Sequence, residues 1–386
     1  MKILHTADWH LGAKLENRDR IEEQTRIIQE ISTIANENNV SIVIIAGDIF
    51  HNSTPSAPAE DLFYKALDSL SDNGNRLVFV LSGNHDDPQR LSACKPLAQK
   101  HNIVVATELD CVDITKTKLD GRVRITDAGK GYVRVKVADE ECVISFLPFI
   151  TEQKCISIAG KDNYNDSVKA LASLGASHFS SETLNIFTSH LFVAGAKLGN
   201  ADEVKVGDVM AVSPSSFPQN AHYIALGHLH RPQKIGNNIY YSGSATELRF
   251  KDSVPCVIIL EGNKKGVTNV FEVPIKSACN LIKIKVNNIA NAYKELAYTN
   301  EKELIELTFV QDSPLKASEI KELKRLFPNL VSVKLELTKE VQANSDIKSR
   351  KNLNDKDLFI DFYKHTVGTE PDKRLVDLFL EIREEG

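Results

Sequence analysis

No run of apolar residues in this chain approaches the roughly 18 that a membrane-spanning helix needs, so no transmembrane segment is expected. The opening residues MKILHTADWH carry Lys2, His5, Asp8 and His10. A secretory leader tolerates no such charges in its apolar stretch, so none is expected. Cysteine is sparse: six (Cys94, Cys111, Cys142, Cys155, Cys256, Cys279) lie scattered without a Cys-x-x-Cys pair. That excludes a disulfide framework and a zinc ribbon, and leaves reduced thiols packed as small apolar groups. Positive charge is not in excess either, because the net charge is −5, which argues against coating nucleic acid by bulk electrostatics while leaving a local site open. Internal repeats and low-complexity tracts are absent. What remains is a soluble chain expected in the cytoplasm. Its 386 residues exceed one compact core, so two or three domains are expected.

Up to about residue 275 short β-branched runs alternate with helical periods. KILHTAD (2–8), SIVIIAGD (41–48), RLVFVLSGN (76–84), TLNIFTSHL (183–191) and HYIALGHLH (222–230) read as strands buried on both faces. Helices are predicted over 18–38, 58–71 and 89–101. From Val123 onward the strands come without long helices, as antiparallel hairpins would. The pattern implies an α/β fold with a mixed sheet, or two stacked sheets, and helices outside. A second region, 276–340, reads β-α-β-α-β, a small α+β domain. Residues 341–354 look like a linker, and 355–386 carry two apolar-striped helices with Leu358, Phe359, Phe362, Leu375, Leu378 and Phe379.

Five strand ends share one kind of chemistry. The first continues into Asp8-Trp9-His10, the second ends on Gly47-Asp48, the third on Gly83-Asn84-His85, the fourth on His190, and the fifth on Gly227-His228-Leu229-His230. Ligands of α/β sheets gather outside the carboxyl ends of strands. Each piece alone is a common turn or core histidine; all five in order are hard to assign to chance. Asp8 and His10, like His228 and His230, are two apart, so in extended chain each pair faces one side. The preceding glycines let the backbone turn sharply. Four imidazoles, two carboxylates and one amide, with no thiolate, suit Mn²⁺, Fe or Zn²⁺. Seven side chains are too many for one ion and adequate for two if a carboxylate bridges. Two divalent ions offset by two carboxylates and a hydroxide retain a positive charge for a phosphodiester.

These motifs resemble the calcineurin-like metallophosphoesterases. The stretches HTADWHLG, GDIF, SGNHDDPQRLS, SHLFVAGA, VSPSSFP and GHLHRPQ with YYSGS resemble more narrowly the bacterial SbcD nuclease family, counterparts of the nuclease in the archaeal and eukaryotic double-strand-break repair complex. The resemblance runs over essentially the whole chain. It implies a two-layer β-sandwich flanked by helices (1–275), a capping domain that touches DNA (276–340), and helices that bind an ATPase (355–386). It implies two Mn²⁺, with Asp8, His10 and His230 on one, Asn84, His190 and His228 on the other, and Asp48 bridging. His85 would contact phosphate and help protonate the leaving oxygen; Asp86 or Asp87 would orient His85. His51 stands where many bacterial members carry Asp, as in relatives outside bacteria. It would approach the phosphate and bias exonuclease against endonuclease action, or else face solvent as a loop residue.

The implied activity is double-strand exonuclease and single-strand or hairpin endonuclease action in DNA repair, recombination and replication, near the nucleoid. The implied partners are DNA and the SMC-like ATPase SbcC, docked on the terminal helices, with a homodimer inside a heterotetramer. In the second region Lys276, Lys283, Lys285 and the lysines of 316–324 are the candidates to face DNA, although acidic residues are interleaved. Competing readings are a phosphodiesterase or phosphatase for a small molecule or phosphoprotein, and a non-enzymatic scaffold. The second region and tail argue against the former, and the intact ligand set against the latter.

Overall fold

The computed structural model describes residues 1–386 except 17, 111–120, 199–209, 251–253, 301, 314, 338–354, 368–369 and 385–386. The first strands are short and wholly apolar, β1 (Lys2–Thr6), β2 (Ile42–Ala46), β3 (Leu77–Leu81) and β4 (Ile103–Ala106), as strands covered on both faces must be. They pair in parallel, and β1 also pairs antiparallel with β12 (Cys256–Asn263), which hairpins to β13 (Gly266–Pro274). The result is a six-stranded sheet ordered β13-β12-β1-β2-β3-β4.

A second, seven-stranded sheet is ordered β10-β11-β9-β8-β7-β6-β5. It uses β5 (Val123–Gly129), β6 (Tyr132–Val137), β7 (Glu140–Leu147), β8 (Leu184–His190), β9 (Tyr223–Gly227), β10 (Gln233–Ile235) and β11 (Ile239–Tyr241). The two sheets face each other across an apolar core in which Ile3, Ile44 and Phe79 meet Val133, Ile144, Phe146 and Ile186. This is the implied sandwich.

The outer face of the first sheet is covered by α1 (Ile21–Glu37) and α2 (Ala57–Ser71). In α1 the buried residues Ile27, Ile28, Ile31, Ile34 and Ala35 recur at helical spacing. The expected helix over 89–101 is instead broken into α3 (Pro88–Ser92), α4 (Lys95–Ala98) and a 3₁₀ turn, Gln99–His101. Pro96 has no N–H to continue the first piece, so it opens a new turn. The outer face of the second sheet is covered by α5 (Glu152–Ala159) and α6 (Tyr164–Ala176). These two correct the expectation of strands without long helices after Val123. They carry the crossover from β7 to the parallel strand β8, and β9 pairs in parallel with β8 as well, whereas β5-β6-β7, β10-β11 and β12-β13 form the expected antiparallel pairs.

In the second region β14 (Asn280–Val286), α7 (Ile289–Leu296), β15 (Glu303–Val310), α8 (Ala317–Leu326) and β16 (Leu330–Glu336) follow in the expected order. They build a parallel three-stranded sheet with its own core of Val286, Leu296, Ile305, Leu307, Phe309 and Leu323. Its open face begins with Leu281, Leu304 and Val331, which pack with Cys279 on Leu15 and Phe250 of the sandwich. Two terminal helices, Asp355–Val367 and Lys373–Glu384, pack on each other through stacked rings of Phe359 and Phe379 at 4.3 Å. The expected linker, 341–354, lies outside the described residues.

Candidate metal centre

The carboxyl ends of β1, β2 and β3 in one sheet and of β8 and β9 in the other open on the same edge of the sandwich. Cross-sheet hydrogen bonds hold them there. His190 Nδ1–H donates to Ala46 O at 2.8 Å, and the His228 N–H donates to both Asp8 carboxylate oxygens at 3.0 and 3.1 Å. The loops after β1 and β2 are zipped by Asp8 N–H to Gly47 O and His10 N–H to Asp48 O, both 3.0 Å.

Every sequence-predicted site residue arrives here. Donor atoms of Asp8, His10 and His230 lie within 4.8 Å of one another, as do those of Asp8, Asp48 and His190, and of His10, His51 and His85. Asp48 Oδ2 is central, 3.6 Å from His10 Nε2, 3.5 Å from His190 Nε2 and 3.9 Å from His85 Nε2. Asn84 Oδ1 lies 3.0 Å from His190 Nε2 and 3.1 Å from His228 Nδ1. Asp8, His10, Asp48, His190 and His228 are buried, His51, His85 and His230 partly so, and Asn84 is exposed, so the site opens to solvent on its Asn84 side.

Contrary to expectation, the paired ligands do not lie on extended chain. Asp8 (φ 52°), His10 (φ 47°), Asp48 (φ 51°) and His228 (φ 97°) are left-handed. Their side chains converge because the backbone turns at the ligand itself, which costs roughly 1–3 kcal/mol per residue and clusters at functional sites. Of the three preceding glycines only Gly47 (φ 93°) has a positive φ. Gly83 and Gly227 are required by space: a Cβ would stand 2.2 Å from Asp48 N at the first and 1.9 Å from Ala46 O at the second.

The donor set fits a cation. Because Ala46 O holds the His190 proton on Nδ1, the lone pair of Nε2 faces two further acceptors, Asn84 Oδ1 and Asp48 Oδ2. His10 Nε2 and His230 Nε2 stand 3.1 Å apart, two nitrogens that a shared proton or one ion can hold together. Electron pairs aimed at one another are reconciled by a shared proton or a metal ion. Burial pulls His190 down, yet Asp48, with Asp8 and the Ala46 carbonyl, holds it up at about 9. Burial pushes His10 well below its ordinary value, against the pull of Asp48 and with the help of His230, His85 and His51. Burial alone would push the Asp48 carboxyl up, but His190, His10 and His85 hold it well below the usual range.

Two roles differ from expectation. Asp86 accepts N–H bonds from Gly83 (2.8 Å), Phe50 (2.9 Å) and Ile49 (3.2 Å), tying the loop after β2 to the loop after β3. Burial and the Asp48 charge push it up to about 6, against those three donors. Asp87 caps α3 through Arg90 N–H. His85 is oriented instead by its Nδ1–H bond to His51 O at 2.6 Å, with the two rings stacked 5.9 Å apart. The sequence carried no signal for that carbonyl. His5 in HTADWH serves the core: Tyr223 Oη lies 3.0 Å from Nδ1 and Leu226 O 3.2 Å from Nε2, and burial lowers it to about 3.

Residues 1–232 match the family described as calcineurin-like phosphoesterase. The SbcD component of the SbcCD nuclease from Bacillus subtilis strain 168 is 31% identical, with 99% of this chain and 97% of the relative covered. The proteins of the same name from Staphylococcus epidermidis and Staphylococcus saprophyticus are 26% and 25% identical, covering 95% and 100% of this chain and 93% and 100% of the relatives.

Proposed function

The chain belongs to the calcineurin-like phosphoesterases, and within them to the SbcD nuclease family, as a metal-dependent hydrolase of phosphodiesters; from that premise we propose that it is a Mn²⁺-dependent DNA nuclease working with an SMC-like ATPase, SbcC. The observation that carries the reading is the gathering of six donor side chains from two sheets around a seventh, Asp48. Asp8, His10 and His230 would hold one ion, Asn84, His190 and His228 a second, and Asp48 both. Bound there, divalent ions supply an activated water and charge stabilisation at phosphorus. The chain's own residues do the rest. The Ala46 carbonyl keeps the His190 proton off the ligating nitrogen, the His51 carbonyl turns His85 Nε2 toward the site, and His85 delivers a proton to the leaving oxygen. His51, stacked on His85, contacts the phosphate and biases exonuclease against endonuclease action.

The proposed organisation is a nuclease domain (1–275), a capping domain (276–340), a linker (341–354) and a tail (355–386) that docks on SbcC, in a homodimer within a heterotetramer. Among the described residues no helix is long and apolar enough to cross a membrane. Cleavage of hairpin and linear duplex DNA with Mn²⁺, with and without the ATPase and ATP, tests the reading. Hydrolysis of a small phosphodiester but of no DNA under any condition would sink it. His85→Ala is expected to lower hydrolysis by about 10²–10⁴-fold with metal content unchanged, whereas Asp48→Ala loses metal. Equal metal loss in both would refute the assigned roles.

A further inference from the structure

Two side chains grip the backbone of the metal-site loop from behind. Gln24, buried on α1, donates Nε2–H to His10 O at 3.0 Å and accepts Gly12 N–H at 2.9 Å. Ser244 Oγ lies 2.6 Å from Asp8 O and 2.7 Å from Thr246 O, its one proton shared between the two carbonyls, beside a bridge between Ala7 and Ser244. These carbonyls belong to residues in the left-handed region, a conformation that persists only when its surroundings over-determine it.

Each grip has a neighbour that holds the three-stranded sheet. Glu23 precedes Gln24; its carboxylate takes a two-pronged bond from Arg20 Nε and Nη2, both 2.7 Å, and the N–H of Cys279 at 2.8 Å. Arg20 Nη1 donates to the Glu247 carbonyl, and Glu247 Oε2 takes the N–H of Leu281 at 3.2 Å. Cys279 immediately precedes β14 and Leu281 is its second residue. Arg20 and Glu23 are 3% and 5% exposed. A path from β14 to the carbonyls of Asp8 and His10 therefore runs through these hydrogen bonds and two short backbone steps, Glu23 to Gln24 and Glu247 to Ser244.

Resting on the metal reading above, we propose that Arg20, Glu23 and Glu247 form a positioning unit through which the seating of the three-stranded sheet sets the divalent-ion affinity of Asp8 and His10. A buried ion pair adds little net stability over apolar packing, but its fork geometry fixes where its partners lie. Glu30 supplies a control. One helical stretch further along α1, it accepts the N–H groups of Lys276 (2.9 Å) and Ser277 (2.7 Å) at the same junction, away from the grips on Asp8 and His10.

The test titrates Mn²⁺ into the full-length chain, following free ion by electron paramagnetic resonance, with melting temperature in parallel. Glu23→Gln and Ser244→Ala are expected to weaken Mn²⁺ binding by about 10-fold or more, the scale of outer-shell losses at metal sites. Ser244→Thr, which keeps the hydroxyl, restores it, and Glu30→Gln leaves it unchanged. The double variant Glu23→Gln/Ser244→Ala is expected to lose less than the product of the single losses, because coupled residues are non-additive. Equal melting losses in Glu23→Gln and Glu30→Gln with Mn²⁺ affinity untouched would reduce the unit to a staple and overturn the proposal. Hydrogen exchange of the amides of 8–12 in metal-free chain separates the two readings. Faster exchange in Glu23→Gln than in Glu30→Gln supports the unit, and equal exchange overturns it; failure of the unmutated chain to take up Mn²⁺ overturns the metal reading instead.

Discussion

Gly47 shows how tightly single residues are constrained. Its φ is 93°, and a Cβ there would stand 2.2 Å from His190 Nδ1, where the ring bonds Ala46 O. Gly47→Ala is therefore expected to cost roughly 1–3 kcal/mol in backbone strain alone and to rotate His190 away from Asp48. Calorimetry and Mn²⁺ titration would read both losses, and an unchanged melting temperature with unchanged affinity would contradict the packing described. Asp86 is a second such residue. Asp86→Ala strands three backbone N–H groups in the interior, each left unmet at about 1–3 kcal/mol, so it is expected to destabilise the loop bearing Asn84 rather than to alter His85 directly.

At the scale of elements, the junction between α1 and β14 is held by carboxylates. Burial alone would raise Glu23, but the Arg20 fork and the Cys279 N–H outweigh it and hold it below its ordinary value. A lowered carboxyl pKa gives stability that is present above the unfolded value, about 4.3, and lost as pH falls through the folded one. The melting difference between the unmutated chain and Glu23→Gln should thus be large near pH 7 and shrink below about pH 4. A difference that is constant with pH would exclude the charge as its origin. On the open face of the three-stranded sheet, Glu306 pairs with Lys283 (3.3 Å) and Lys334 (2.5 Å), and Glu336 with Lys285 (2.6 Å). Lys283 and Lys285, candidates for phosphate on sequence, already have carboxylate partners. Lys283→Ala is expected to leave the salt dependence of duplex binding unchanged; a slope lower by about 1 would assign that lysine to phosphate.

At the scale of the whole molecule, the terminal helices present an apolar surface that their own pairing leaves partly open. Phe359 stacks on Phe379 and Val376 is buried, whereas Phe362 is 65% and Leu378 50% exposed. Helices of 13 and 12 residues are marginal in isolation, and the exposed apolar side chains suit docking on a partner helix. A chain ending before Asp355 is expected to hydrolyse a small phosphodiester normally and to lose association with the ATPase in analytical ultracentrifugation. Association that survives truncation would sink the docking proposal.

Residue type and period alone determined which stretches became β1, β2, β3, β8 and β9, because apolar runs bounded by Gly, Asp, Asn and His have no stable alternative to burial with polar ends. They also determined the donor chemistry, and the order of elements in 276–340, where alternation and helical spacing are local properties. Only the tertiary structure decided that the five ends come from two sheets meeting at one edge, that Asp8, His10, Asp48 and His228 turn left-handed, and that Gly83 and Gly227 are small to admit a neighbouring strand end. It also decided that Pro96 splits a helix, that α5 and α6 carry a crossover from β7 to the parallel strand β8, and that a carbonyl rather than a carboxylate orients His85. These depend on contacts between residues far apart in the chain, and no local pattern encodes the distance at which two backbones will pass.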